Sequence, residues 1–389
     1  MGQGGIPEHA ALVVVGGGLI GLATAFELLR REQEVLVLER SDVGAGASTV
    51  AAGMLVPASE AMTAEPELIR FGLDSLSRYP QFIADVRRVS GRDPHYRDDG
   101  TLWVALNRDH LAELERLHAI QQEYGLGSSW LTAREVLERE PRLTGRVVAG
   151  LLVESEHHVD PRELTDALAM AVTRRGGGLI TGADVRSIMP DRDGWLVEGK
   201  TGESSFTLRA EQVVGAAGAW MSASIDSPLK DLGMRPIKGQ TVRLSGEQLI
   251  RDIVFTPDVY IVPQRGGKLI VGGTMEEQGF EDAPTAGAVL DLLRRAWETL
   301  PGVDDLRVDE LAVSFRPAVS DHMPVIGSTG HEGLFVAGGH FRKGILLAPA
   351  TAHYLAELIV SGQSPTQIAP FAVDRQQPFV ADVAPEKTR

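Results

Sequence analysis

The chain has 389 residues, 43% apolar and 23% charged, which suits two or three domains, each with its own core. A net charge of −15, with no block of Lys or Arg to offset it, repels a phosphate backbone and argues against a nucleic-acid partner. With no cysteine, the chain has no disulfide, thiolate metal site, iron–sulfur cluster or cysteine nucleophile.

Residues 1–10 are polar and Gly-rich, without the charged-then-apolar build of a signal peptide, and Ile6 stands where a myristoylation site needs Ser or Thr. No run is read as reaching the ~18 apolar residues that span a bilayer, so no membrane partner is expected and the chain reads as cytoplasmic. Residues 11–15 form an apolar run, followed by Gly16-Gly17-Gly18, a helical pattern to Leu29 and a second short apolar run at 35–38. A strand, a glycine turn, a helix and a strand in about 30 residues make a right-handed βαβ unit. Helical patterns follow at 67–89 and 108–124, with a strand-like alternation at 100–106. Another helix, 161–175, runs into Gly176-Gly177-Gly178, a stop signal. Strand-like pieces come at 194–197, 207–208 and 212–218. Residues 236–320 alternate strands with turns such as Arg265-Gly266-Gly267, which predicts an antiparallel sheet. A buried strand at 334–337 and a helix at 345–359 close the pattern.

The fold class is therefore α/β, with a sheet-rich α+β insertion. Residues 1–85, 145–235 and 325–375 are expected to form one discontinuous nucleotide-binding domain. Residues 86–144 and 236–324 form the interleaved second domain, and 376–389 a C-terminal tail.

Gly16-Gly17-Gly18-Leu19-Ile20-Gly21 fits G-x-G-x-x-G between that first strand and its helix. Gly16 allows the tight turn, Gly18 lets the backbone approach a pyrophosphate, and Gly21 lets helix and strand pack closely. The helix N-terminus adds free N–H donors and partial positive charge. Glu39 ends the next strand, where a carboxylate can accept ribose hydroxyls and would repel the 2′-phosphate of NADP. A small-residue run, Ser48 to Met54, can lie against a planar ring. A second strand–glycine turn–helix at 334–346 offers another helix N-terminus, suited to the N1/C2 edge of a reduced flavin. These features bind FAD or NAD; an NAD-dependent dehydrogenase and a non-catalytic flavoprotein are the readings from other classes.

The chain resembles the D-amino-acid-oxidase superfamily of flavoproteins, and within it the glycine oxidases. The stretches that carry the resemblance are VVVGGGLIGLATAFEL (13–28), STVAAGML (48–55), MRPIKGQ (234–240), VYIVPQ (259–264), LIVGGTME (269–276), FRPAVSDHMPVIG (315–327) and GGHFRKGILLAPAT (338–351). The resemblance implies a Rossmann-type FAD domain and a substrate domain with a large antiparallel sheet. It implies FAD contacts at Leu19, Ile20, Glu39, Arg40, Ala47, Ser48, Ala52, Gly53, Met54 and Val185, and along His340, Phe341, Arg342, Lys343, Gly344, Ile345 and Leu346. Substrate contacts would be Arg316 and Arg342, with Tyr260, Met54 and Met275 near a small pocket. The chain departs from the pattern two residues before the tyrosine, where Asp258 stands in place of a His that glycine oxidases can carry near the pocket mouth.

The implied reaction is oxidation of glycine or another small amine by O₂, giving glyoxylate, ammonia and hydrogen peroxide, with the imine feeding thiamine thiazole synthesis. The close alternative is a D-amino acid or sarcosine oxidase or dehydrogenase. Without cysteine the flavin cannot be tethered as it is in sarcosine oxidases, so FAD is expected to be noncovalent. Relatives imply a homotetramer.

Hydride transfer from Cα requires orientation rather than an acid/base pair, so no catalytic acid or base is expected. Arg316 suits a carboxylate clamp because a guanidinium is planar, permanently charged and bidentate; the bland reading is a surface arginine on a sheet. Arg342 is otherwise a solvated helix-start arginine. Tyr260, one of five tyrosines, either donates to the carboxylate or packs with a wet tip. Met54 and Met275 either narrow the pocket or fill core. His340 is read as touching the flavin, not as a base. His157-His158 point opposite ways on a strand without a third ligand, so they are read as solvent-exposed and no metal is expected.

Overall fold

The computed structural model describes residues 5–63 and 65–375; the expected tail 376–389 lies outside them. The strand β1 (His9–Val15), the helix α1 (Leu19–Arg30) and the strand β2 (Val35–Leu38) form the expected βαβ unit, with β1 and β2 parallel. Leu12–Val15 and all four residues of β2 are buried, as strands covered on both faces must be.

β1 and β2 lie inside an eight-stranded sheet. From one edge its order is Val325–Ser328, Leu334–Gly338, Ser204–Gly215, β1, β2 and Gly178–Ile180, and the hairpin Ala183–Asp191/Gly194–Thr201 joins Ser204–Gly215. One face is covered by α1 and the helices Pro66–Ser90, Pro161–Arg174 and Gly344–Ser361. This last helix corrects the expectation that no run reaches membrane-spanning length. By length and composition it does, but 72% of it is buried, and its apolarity serves the core.

The second sheet also has eight strands, in the order Arg307–Ala318, Arg235–Ser245, Lys268–Gly272, Tyr260–Gln264, Ile253–Phe255, Thr101–Ala105, Ala149–Val153 and Ser129–Thr132. It is antiparallel except where Ile253–Phe255 runs parallel to Thr101–Ala105. Ala149–Val153 falls in the 145–235 segment expected in the first domain, yet it pairs here, so that boundary moves beyond Val153. A helix, Ala286–Thr299, interrupts the region read as strands throughout. It buries Leu292 and Ala296, one helical turn apart, against this sheet.

His157–His158 pair with Met54–Leu55 in a small separate sheet. The expectation of solvent exposure fails there. His158 is 1% exposed, and burial, with Arg97 and His157 nearby, pushes its imidazole down to about 4. His157 is half-buried and its Nδ1 meets the Tyr96 hydroxyl at 2.5 Å.

Candidate active site

A cleft of about 310 Å³ opens beyond the carboxyl ends of β1 and β2 and is closed by the second sheet. On its first wall the glycines have steric reasons. Gly16 has φ +120°, and a Cβ there would sit 2.4 Å from Ala216 O; one on Gly21 would sit 2.0 Å from Gly16 O. Gly18 caps α1 without a side chain, no acid occupies the first turn, and Ser48 Oγ accepts from Leu19 N at 2.9 Å. Glu39 folds over the turn, its Oε2 accepting from Gly17 N at 2.6 Å and its Oε1 from Ser41 N at 2.8 Å. The Arg40 guanidinium lies 4.6 Å above the Trp220 ring. Ile20, Ala47, Ala52, Gly53 and Val185 line the same wall.

The short helix Ala47–Val50 is tied to the second sheet through its Thr49 carbonyl. That oxygen accepts from Arg162 Nε at 2.9 Å and from Arg243 Nη2 at 2.8 Å, while both Arg162 nitrogen contacts to Glu310 are within 2.9 Å.

The far end of the cleft is the turn from His340 to Leu346. Phe341 takes φ +48° and donates its N–H to Pro317 O at 2.8 Å, pinning the turn to the second sheet. His340 is buried, its Nε2 lies 3.0 Å from Thr351 Oγ1, and burial pushes its imidazole down to about 3, which suits no general base. Arg342 donates to Glu60 Oε1 at 2.6 Å and Lys343 to Glu60 Oε2 at 2.5 Å. Burial alone would raise the Glu60 carboxyl; Lys343 and Arg342 overcome it and hold the group at about 2. Gly344, Ile345 and Leu346 begin the Gly344–Ser361 helix, whose first turn contains no acid and whose cap supplies no side-chain bond.

Arg316 and Tyr260 face the cleft from the second sheet, side by side around Gly273. Three glycines make room for them. A Cβ on Gly239 would lie 2.3 Å from Arg316 Nη1, and Cβ atoms on Gly272 and Gly273 would lie 2.3 and 2.7 Å from the Tyr260 hydroxyl. Arg316 Nη1 also donates to Thr274 O at 2.9 Å. Burial lowers the Arg316 guanidinium, with Arg342 adding to this and Tyr260 opposing it. Burial raises the Tyr260 phenol against the pull of Arg316 and Arg342. This surplus of partly desolvated positive charge favours an incoming carboxylate.

Met54 lines the cleft beside them. Met275 does not: it is 61% exposed. Its neighbours Thr274 and Glu276 bond to each other and back to Gln240, which turns the intervening Met275 side chain outward. Asp258 is also outside the cleft, its carboxylate 3.0 Å from His110 Nε2 and 2.8 Å from Arg295 Nη1, so it leaves the pocket mouth untouched. Glu60 and Trp220 belong to the site but carry no motif signal. No group of three or more His, Asp or Glu able to hold a metal occurs among the described residues.

The donor set fits FAD. One helix N-terminus opened by glycines suits a pyrophosphate, Glu39 just after β2 suits a ribose diol, and a second helix N-terminus stands at the far end for a ring edge. Residues 11–358 match the DAO family, the FAD dependent oxidoreductases. The chain is 33% identical over 368 residues to the glycine oxidase of Geobacillus kaustophilus, covering 94% of this chain and 96% of that one. The crystal structure of glycine oxidase from the same organism matches with a TM-score of 0.88 at 32% identity, covering 95% of this chain and 100% of that chain. The bifunctional protein ThiO/ThiG of Nostoc sp. is 32% identical over 374 residues, which cover 94% of this chain and 55% of that protein. The protein therefore belongs to the DAO family of FAD-dependent oxidoreductases, and FAD is its cofactor.

Proposed function

We propose that the protein oxidises glycine: glycine, O₂ and water give glyoxylate, ammonia and hydrogen peroxide. The observation that carries this reading is the Arg316–Tyr260 pair, set in its glycine frame at the end of the FAD cleft. The guanidinium grips the substrate carboxylate, and the Tyr260 hydroxyl donates to the same group. Met54 bounds the space left for a side chain. FAD, when bound, would supply the acceptor for the hydride that leaves Cα. Neither Glu60, held at about 2, nor His340, held at about 3, offers a base of suitable strength, in keeping with an amine that enters deprotonated.

The first sheet and its helices would hold the cofactor and the second sheet the substrate, with 1–85, 325–375 and the stretch from beyond Val153 to 235 on the cofactor side. Likeness to glycine oxidases and to a ThiO/ThiG protein supports a role in making the imine used for the thiazole of thiamine. By the same likeness we infer noncovalent FAD, O₂ as acceptor, a cytoplasmic site and a homotetramer.

The test is anaerobic mixing of the purified yellow protein with glycine, sarcosine, D-alanine and D-proline. Bleaching fastest with glycine is expected. Bleaching confined to D-proline or sarcosine would overturn the substrate, and no bleaching at all would overturn the reaction.

A further inference from the structure

Pro349 lies inside the Gly344–Ser361 helix. It has no N–H to give the carbonyl four residues back, which belongs to Ile345. That carbonyl is not left bare: the Tyr79 hydroxyl, from the helix Pro66–Ser90, donates to it. The next rung is also taken over. Ser75 Oγ, one turn earlier on the same helix, donates to Leu346 O at 2.7 Å and accepts from Ala350 N at 3.2 Å. Both side chains are fully buried, so neither bond exchanges with water. The Tyr79 ring is held in turn against Tyr96, with centroids 6.0 Å apart and planes 1° from parallel. Burial pushes the Tyr79 phenol well up, so it remains a donor.

We propose that Ser75 and Tyr79 are positioning residues for the reaction: they brace the first turn of the Gly344–Ser361 helix, where Pro349 leaves the Ile345 carbonyl without its backbone donor. Ile345 and Leu346, whose carbonyls they hold, line the cleft at its far end. The N–H groups of that turn are the ones placed to stabilise negative charge on the flavin's N1/C2 edge. Two hydroxyls from a different helix thus set the aim of a helix terminus they do not belong to. This rests on the reading of that turn as the flavin-edge contact.

Sulfite makes a suitable probe, because its addition at N5 places negative charge on the N1/C2 edge and needs no substrate or turnover. Holoprotein carrying Tyr79→Phe should bind sulfite about tenfold more weakly than wild type, since a buried carbonyl loses its donor and the turn shifts. Ser75→Ala should do less, because Ala350 N can close on Leu346 O directly. The double variant Tyr79→Phe/Pro349→Ala restores an N–H that can reach Ile345 O, and should return sulfite affinity to within about threefold of wild type. Unchanged affinity in a yellow Tyr79→Phe protein, or a double variant no better than the single one, would overturn the proposal. Should Tyr79→Phe fail to fold, the double variant decides alone, and its failure too would overturn it. Wild type that bleaches with glycine yet binds no sulfite counts against this inference only; wild type that holds no FAD counts against the functional reading beneath it.

Discussion

The two walls of the cleft are built from different materials. The wall proposed to hold the cofactor is mostly backbone: the turn at Gly16–Gly18, the N-termini of α1 and of Gly344–Ser361, and the Ser48 and Glu39 side chains that brace α1 and its turn. The wall proposed for the substrate is mostly side chain, with Arg316 and Tyr260 given room by glycines at 239, 272 and 273. A backbone wall demands glycine at fixed spacings and leaves other positions free, so it survives in sequence as a motif. A side-chain wall needs particular groups to converge from strands far apart in the chain, and leaves no local spacing.

The sharpest way to separate the walls is to remove the clamp and leave the cofactor side intact. Arg316→Ala should lower kcat/KM for glycine on the order of a thousandfold, because truncating one partner of a buried charged pair costs about 2–5 kcal/mol. FAD affinity should stay near wild type, since the cofactor wall does not use that guanidinium. Steady-state kinetics with a flavin titration checks both halves; unaltered kinetics would defeat the clamp, and lost FAD would defeat the division into walls.

The converse change is Gly16→Ala. Its Cβ would meet Ala216 O at 2.4 Å, in a backbone conformation of φ +120°. Strain of this kind is worth about 1–3 kcal/mol, so FAD affinity should fall up to about a hundredfold. A titration of apoprotein with FAD reads this directly, and affinity equal to wild type would mean the turn does not shape the site.

Where the walls meet, Glu60 holds Arg342 and Lys343 together. Its carboxyl sits at about 2 when folded, against about 4.5 for the free group. A depressed carboxyl contributes stability that is present above the unfolded value and lost as pH falls through the folded one. The gap is worth up to about 3 kcal/mol. Glu60→Gln should therefore be less stable than wild type at pH 7, and the difference should close between pH 4.5 and 2. Denaturant unfolding across that range checks the sign, and a difference independent of pH would rule out the ion triad as its source.

This contrast also explains what could be read beforehand. β1, α1 and β2 were legible because continuous apolar strands, a glycine turn and a helical pattern each carry a local signal, and β2 has the predicted bounds. The helix Ala286–Thr299 was read as strand although Leu292, Ala296 and Leu300 keep helical spacing; the turn signals around it favoured a short-strand reading. The strand Ala149–Val153 joined a different sheet from the one expected, since pairing partners are a tertiary choice that no local pattern encodes. His157 and His158 are read as solvated because strand neighbours point opposite ways and lack a third ligand, yet His158 is covered once its strand pairs with Met54–Leu55. Glu60 stayed invisible for a related reason: its partners lie 282 and 283 residues away.

The smallest expected effect tests the substrate wall at its edge. Met54 and Met275 look alike in sequence, each beside a motif and each a flexible apolar chain able to narrow a pocket. Met54 lines the cleft and packs against the core cluster that contains Ala52, Val56 and Phe255, whereas Met275 stands 61% exposed. Met275→Ala should leave kcat/KM for glycine and for D-alanine unchanged within about twofold, as surface substitutions usually cost less than 0.5 kcal/mol. Met54→Ala should raise the ratio of D-alanine to glycine turnover by about tenfold, because a pocket discriminates a methyl group by about 1–3 kcal/mol only when its wall is in contact. A Met275→Ala ratio raised as far as that of Met54→Ala would place Met275 in the wall after all, and an unchanged ratio in Met54→Ala would mean that Met54 does not bound the pocket.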